Sequence, residues 1–211
     1  HPGAGTVAGC SSGVRITVDG MEHLPRTGPV VLVSNHTSYA DSVALTATFR
    51  RDVLFVAKAE LLNWPPVGTL IRRGGHLTVE REDPVQSLNT ARRIDAALRR
   101  GEAVLFFPEG TFTRAIGLRP FRMGAFEAAV AAGVPPVPIA VRGTRRVLSS
   151  GMWLPRPGRI SIWIGAPLTT PHHGWEGARE LRDRVAAVIA EHCGEPRLDL
   201  VASGVASFSR A

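Results

Sequence analysis

The sequence predicts an α/β fold in which a mostly parallel central sheet is covered by helices on both faces. Short apolar runs alternate along the chain with segments whose apolar residues recur at helical spacing. Most of the runs are apolar throughout, as in strands that are buried on both faces of a sheet. The 211 residues suit one domain, and 44% hydrophobic with 20% charged residues is typical of a folded globular protein.

The predicted elements follow one another in a regular order. Residues 14–18 alternate apolar and polar side chains, and the later strands are short apolar runs. Asp83-Pro84 favours a helix start, because aspartate caps the first turn and proline fits its geometry, and Gly101 ends that helix. We predict strands at 14–18, 29–33, 53–57, 76–80, 103–107, 137–141 and 160–164. Predicted helices cover residues 41–48, 65–73, 84–100, 123–132 and a last segment at 181–192.

One folded domain is predicted over residues 14–193. Residues 1–13 are rich in Gly, Ser and Ala and are predicted to be a flexible tail or linker, with residues 194–211 as a C-terminal tail. No apolar stretch reaches the roughly 18 residues that span a bilayer. The two cysteines lack the spacing of a metal or redox motif, which favours a reducing compartment. The chain begins without methionine, so we expect any transmembrane or fused segment to lie outside this sequence.

The charge balance favours anionic partners. The formal net charge is +7, with arginine commoner than lysine, which suits phosphate-bearing substrates, acidic lipid headgroups or nucleic acid. The basic residues form no long run and no patch interleaved with aromatic residues, and this argues against nucleic acid. The alternative is that the arginines are ordinary solvated surface residues.

The polar stretch after the second predicted strand holds the first candidate site. His36 closely follows the apolar run 30–33, and Asp41 lies five residues later. A histidine and a carboxylate on one tight loop can act as a general base and the group that orients it. A structural hydrogen bond is the alternative. The sequence has no Gly-x-Ser-x-Gly elbow and no His/Glu cluster at ligand spacing, so a substrate hydroxyl is a better target than a serine or a metal.

A second group of candidates follows the strand at 103–107. The segment Phe107-Pro108-Glu109-Gly110-Thr111 predicts a defined turn with one carboxylate. Glu109 can accept hydrogen bonds from polyol hydroxyls, and the Gly110 and Thr111 amides are available to an anion or an oxyanion. The alternative is a strand-ending turn with a solvated carboxylate.

Arg81, just past the strand at 76–80, is the third candidate. With Lys58 and other nearby basic residues it could bind a phosphate, although a solvated charge is the alternative. His36, Arg81 and Glu109 all fall just past predicted strand ends, where sites gather in parallel sheets. We therefore expect them to share one cleft.

Together these segments resemble the glycerolipid acyltransferases of the lysophosphatidic acid acyltransferase type. The resemblance covers roughly residues 14–170 and rests on blocks that occur in the family's order. The blocks are the His-x4-Asp motif at 35–41, the Lys-x-Glu-Leu segment at 58–61, a strand ending in arginine at 79–81, Phe-Pro-Glu-Gly-Thr at 107–111 and a proline-punctuated strand at 134–139.

The resemblance implies a glycerolipid-acyltransferase-like fold and a role for each matched residue. His36 would deprotonate the acceptor hydroxyl, with Asp41 orienting it, for attack on the thioester of an acyl-coenzyme A or an acyl carrier protein. No metal, no cofactor and no covalent acyl-enzyme are implied. The residues implied in acceptor and phosphate binding are Arg81, Glu109, Gly110, Thr111, Lys58 and Arg114.

The implied function is transfer of a fatty acyl group to a lysophospholipid, with 1-acyl-glycerol-3-phosphate as acceptor and phosphatidic acid as product. The implied location is peripheral, on an anionic membrane at the cytoplasmic face, where Trp64 and nearby arginines could contact headgroups. Ordinary packing of Trp64 is the alternative. The other functions that stay open are acylation of another lysolipid or a glycolipid, thioester hydrolysis, and lipid binding without catalysis.

Overall fold

The computed structural model describes residues 5–7, 13–80, 83–111, 116–148 and 154–198. Within these ranges the strands are β1 (Gly5–Val7), β2 (Val14–Asp19), β3 (Val30–Ser34), β4 (Val53–Lys58), β5 (Leu77–Val79), β6 (Ala103–Phe106), β7 (Pro136–Arg142) and β8 (Gly158–Ile164). The helices are α1 (Ala40–Thr48), α2 (Pro65–Arg73), α3 (Pro84–Arg99), α4 (Gly124–Ala132), α5 (Thr144–Val147) and α6 (Gly174–Cys193). Two short 3₁₀ turns lie at Met21–His23 and Ala59–Asn63.

The strands form one sheet in the order β1-β2-β8-β7-β3-β6-β4-β5. The five strands from β7 to β5 are parallel, whereas β2 and β8 pair in parallel with each other and run opposite to them. The prediction of a mostly parallel sheet is confirmed. The predicted seven strands and five longer helices are all present, with boundaries that shift by a few residues, and the last helix begins earlier than its predicted core.

Both faces of the sheet are covered, as the apolar strands predicted. Side chains alternate along β3, so Val31 and Val33 pack with residues of α3, α4 and α6, while Val30 and Leu32 pack with residues of α1 and α5. All four valine and leucine side chains are at most 2% exposed. Burying each of them contributes about 1.5–3 kcal/mol relative to exposure, which is why the strand leading to the candidate site is firmly held.

The helices that follow β3 and β6 lie on opposite faces of the sheet. These strands are direct neighbours, with Val33 opposite Phe106. After β3 the chain continues into α1 on one face, and after β6 it continues into α4 on the other. A crevice opens at the carboxyl ends of neighbouring parallel strands whose connections diverge in this way. The fold therefore places the segments after β3 and β6, which hold the candidate residues, at one crevice.

Two short segments that the sequence assigned to tails make hydrogen-bonded contacts. Gly5–Val7 adds an antiparallel strand to β2. Beyond α6, Leu118 N donates to Pro196 O at 2.8 Å, and Leu198 N donates to Leu118 O at 2.9 Å. Both segments are too short to show a hydrophobic period, so sequence alone did not reveal these contacts. Among the residues that the structure describes, no helix combines the length and the apolar character needed to cross a bilayer.

Candidate active site

The chain leaves β3 through Asn35, whose side chain ties the candidate loop to the neighbouring strand. Asn35 Nδ2 donates to Val141 O at 2.9 Å, and Val141 N donates to Asn35 Oδ1 at 2.7 Å. The asparagine is 1% exposed, so water does not reach this point. Its side-chain amide therefore supplies the hydrogen bonds that the backbone of Val141 needs here. This paired contact fixes the backbone immediately before His36.

Asp41 organises the loop around His36. His36 Nδ1 donates to Asp41 Oδ2 at 2.9 Å, and the same oxygen accepts from Thr37 N at 2.6 Å and Ser38 N at 2.8 Å. The Asp41 carboxylate is fully buried in the first turn of α1, where the helix dipole favours a negative charge. The His36 side chain is 14% exposed to solvent. Because a carboxylate accepts from Nδ1, the proton lies on that nitrogen and Nε2 is the basic one.

The imidazole of His36 lies against an aromatic wall. The ring of Phe107 stacks on it with centroids 4.1 Å apart and planes 18° apart. The ring of Phe55 lies next to Phe107, tilted against it, with the two ring centroids 6.3 Å apart. The stack holds the imidazole plane and keeps water from one of its faces.

Glu109 is buried and bonded to the backbone on both sides of the crevice. Its Oε1 accepts from His36 N at 2.8 Å, and its Oε2 accepts from Arg119 N at 2.9 Å. The residue is 5% exposed. Burial raises the pKa of Glu109 to about 7; the charges of Glu195 and Asp41 also raise it, and the two N–H donors act to lower it. The sequence predicted hydroxyls of the acceptor as its partners, which stays a prediction; in the structure each oxygen accepts from one protein N–H group.

The other predicted acceptor residues are placed less closely together. Gly110 has a φ of 77°, and its amide donates to Phe107 O at 2.9 Å within the turn, instead of facing an anion as predicted. Thr111 is exposed next to it. Lys58 ends β4 on the same edge of the sheet, with Nζ donating to Glu60 Oε2 at 3.1 Å. Arg81 and Arg114 lie outside the described residues, so their predicted contacts with phosphate stay predictions.

An apolar cavity of about 500 Å³ opens beside the stacked rings. It lies between α3 and α4, near the carboxyl ends of β4, β5 and β6. Phe107 lines it and also stacks on His36. Its walls include Val56, Val79, Ile94, Phe106 and Ala128, and charged side chains such as Arg122 line part of it. Sequence patterns do not predict this cavity, because its walls come from five separate elements. The arrangement offers a base, a buried orienting carboxylate and an adjoining space for an apolar chain.

The chain is similar in sequence to known acyltransferases. The sequence profile of the Acyltransferase family matches residues 15–142. A 1-acyl-sn-glycerol-3-phosphate acyltransferase of Pseudomonas aeruginosa is 31% identical over 185 residues, which cover 87% of this chain and 71% of that protein. The chloroplastic 1-acyl-sn-glycerol-3-phosphate acyltransferase LPAT1 of Arabidopsis thaliana is 30% identical over 177 residues, covering 82% of this chain and 48% of that protein.

A solved structure shares the fold. The crystal structure of the 1-acyl-sn-glycerophosphate acyltransferase PlsC from Thermotoga maritima superposes with a TM-score of 0.69 at 26% sequence identity, covering 85% of this chain and 70% of that one. The chain spans between 39% and 48% of the length of the relatives from Brassica napus, Arabidopsis thaliana and Chlamydomonas reinhardtii. The family match extends over more than half of the described fold and includes the loop of His36 and the turn of Glu109. The chain therefore belongs to the glycerolipid acyltransferase family.

Proposed function

We propose that the chain transfers a fatty acyl group from an acyl thioester to the hydroxyl of a lysophospholipid, with 1-acyl-glycerol-3-phosphate as acceptor and phosphatidic acid as product. The observation that carries this proposal is the 2.9 Å contact between His36 Nδ1 and the buried Asp41 carboxylate at the crevice. The names of the relatives from Pseudomonas aeruginosa and Arabidopsis thaliana support the acceptor.

In the proposed reaction, His36 Nε2 takes the proton of the acceptor hydroxyl as its oxygen attacks the thioester carbonyl carbon. The C–S bond then breaks, and the imidazolium returns the proton to the departing thiolate. Asp41 stabilises the imidazolium through Nδ1 and keeps the ring in the basic tautomer. General base catalysis of this kind contributes about 10²–10⁴-fold to a rate. The proposed cycle uses neither a metal or other cofactor nor a covalent acyl-enzyme.

The apolar cavity beside Phe107 is proposed to receive the acyl chain. Its volume of about 500 Å³ and its aliphatic and aromatic walls suit a hydrocarbon chain. Phe107 borders both the cavity and the His36 ring, so a chain seated there has its carbonyl end close to the base. Coenzyme A or an acyl carrier protein would carry the thioester, and Arg81 and Arg114 are proposed to hold the acceptor phosphate.

Peripheral membrane contact at the cytoplasmic face forms part of the proposal. Tyr39 and Val43 lie at the start of α1, beside the His36 loop, and are 39% and 66% exposed. The Tyr39 ring lies 5.2 Å from that of the half-buried Trp64. Aromatic and aliphatic side chains exposed beside a lipid-processing site suit the boundary between headgroups and acyl chains.

The test is a lysolipid panel with one labelled acyl-coenzyme A, read out by lipid mass spectrometry, for the wild type and His36→Ala. We expect labelled phosphatidic acid from the wild type and at least a 10²-fold loss in the variant, about the value of a general base. Circular dichroism checks that the variant is folded. Thioester consumption that no acceptor accelerates would indicate a hydrolase. Binding to vesicles without turnover of any lysolipid would indicate a lipid-binding protein.

A further inference from the structure

Residues 195–198, which follow α6, hold the loop at 117–119, and we call these four residues the C-terminal clamp. Within the clamp, Pro196 O accepts a hydrogen bond from Leu118 N at 2.8 Å, and Leu198 N donates one to Leu118 O at 2.9 Å. Leu118 is 2% exposed and belongs to the core between the sheet and α6. Gly117 is packed so closely that a Cβ atom there would lie 2.5 Å from Leu198 Cδ2. The loop therefore rests directly on the clamp.

Glu195 connects this loop to α5. Its Oε2 accepts from Gly117 N at 2.9 Å, and its Oε1 accepts from the Arg145 guanidinium at 2.9 Å. The Glu195 side chain is 16% exposed and that of Arg145 is 26% exposed. Charge-assisted hydrogen bonds to a largely buried carboxylate are stronger than hydrogen bonds between neutral groups.

Both elements that Glu195 joins contact the loop of the proposed base. Two residues after Gly117, Arg119 N donates to Glu109 Oε2, and the other oxygen of Glu109 accepts from His36 N. On the other side, Thr144 precedes Arg145, and its hydroxyl lies 2.9 Å from that of Thr37, the neighbour of His36. Glu195 is thus linked to the histidine loop by two separate routes.

We propose that Glu195 is a positioning residue for acyl transfer, because it joins Gly117 to Arg145 and so fixes the loop at 117–119 and α5 against the backbone of His36. This inference rests on the proposed function for its kinetic consequence. A shift of about 1 Å at a reacting group costs on the order of 10²-fold in rate, so loss of a contact outside the crevice can lower turnover.

The test compares Glu195→Gln with Glu191→Gln, which makes the same substitution at an exposed position near the end of α6. Hydrogen exchange is measured at the amides of Gly117, Arg119 and His36, together with kcat and both KM values. We expect Glu195→Gln to raise exchange at these amides and to lower kcat about tenfold, with the thioester KM unchanged within about twofold. Amides in α3 should exchange as in the wild type.

Two results would overturn the inference: exchange that matches Glu191→Gln at all three amides, or exchange that rises equally in α3, which would mean a general loss of stability. If Glu195→Gln does not fold, Glu195→Asp keeps the charge with a shorter reach. That variant should still raise exchange at Gly117 or His36, and unchanged exchange there would contradict the role. Hydrogen exchange can be measured whether or not the protein turns over a substrate. If the wild type shows no acyl transfer, the proposed function is wrong, and the exchange data still decide whether Glu195 holds the loop of His36 in place.

Discussion

Glu109 accepts a hydrogen bond from the backbone N–H of His36 at 2.8 Å, which joins the segment after β6 to the segment after β3. The second oxygen of the same carboxylate accepts from Arg119 N. One buried side chain therefore joins the backbone of His36, 73 residues away in the sequence, to that of Arg119, ten residues away. The Phe-Pro-Glu-Gly-Thr segment therefore holds the backbone of His36 in position. Its proline and glycine shape the turn from which the Glu109 carboxylate points into the protein.

Glu109→Gln should lower kcat about 10²-fold while the chain stays folded. The amide can accept from only one of the two N–H groups, and its NH₂ group then faces the other donor without an acceptor. The measurement is steady-state acyl transfer with a thermal melt to confirm folding. Glu22→Gln, an exposed substitution in the turn Met21–His23, serves as the control. Wild-type turnover in Glu109→Gln would show that the base does not need both N–H contacts.

The ionisation of Glu109 should make stability depend on pH. Its pKa is raised by burial from 4.5 to about 7, so the folded state holds the proton more tightly than the unfolded state. The resulting stability is fully present below pH 4.5 and is lost as pH rises through about 7. Urea unfolding at pH 5 and pH 8 should show the wild type losing up to roughly 3 kcal/mol more than Glu109→Gln. Equal losses in both proteins would assign the pH dependence to other groups.

Sequence predicted the order of the elements and the pairing of His36 with Asp41, because both follow from local pattern and from a spacing of five residues. It did not predict the partners of Glu109, since a carboxylate in a turn can face solvent, ligand or backbone. Asn35 was also overlooked as a bridge, because its partner Val141 becomes a neighbour only once β3 and β7 pair. Contacts across strands depend on topology, which short-range patterns do not encode.

Asp41→Asn should reduce kcat about 10³–10⁴-fold with little change in either KM. Thr37 N, Ser38 N and His36 Nδ1 all donate to the same Asp41 oxygen, and the oxygen of an asparagine can take that place. The neutral amide stabilises the imidazolium that forms during transfer less than the carboxylate does, so the rate falls although Nδ1 keeps its proton in the resting enzyme. NMR of the imidazole nitrogens checks that the tautomer is kept, and normal turnover in Asp41→Asn would contradict the assigned role of Asp41.

Narrowing the apolar cavity should change the preferred acyl chain. Ala128 lies on α4 and lines the cavity, so Ala128→Leu fills part of the space with three additional carbons. Each buried CH₂ of a bound chain contributes about 0.8 kcal/mol, and displacing two of them should lower kcat/KM for a long-chain thioester about tenfold relative to a short-chain one. Competition between C16 and C8 acyl-coenzyme A, read out by product mass, measures this ratio. Ala47→Leu, at an exposed position of α1 on the other side of the sheet, is the matched control. If Ala128→Leu and Ala47→Leu give the same ratio, the acyl chain lies elsewhere than in this cavity.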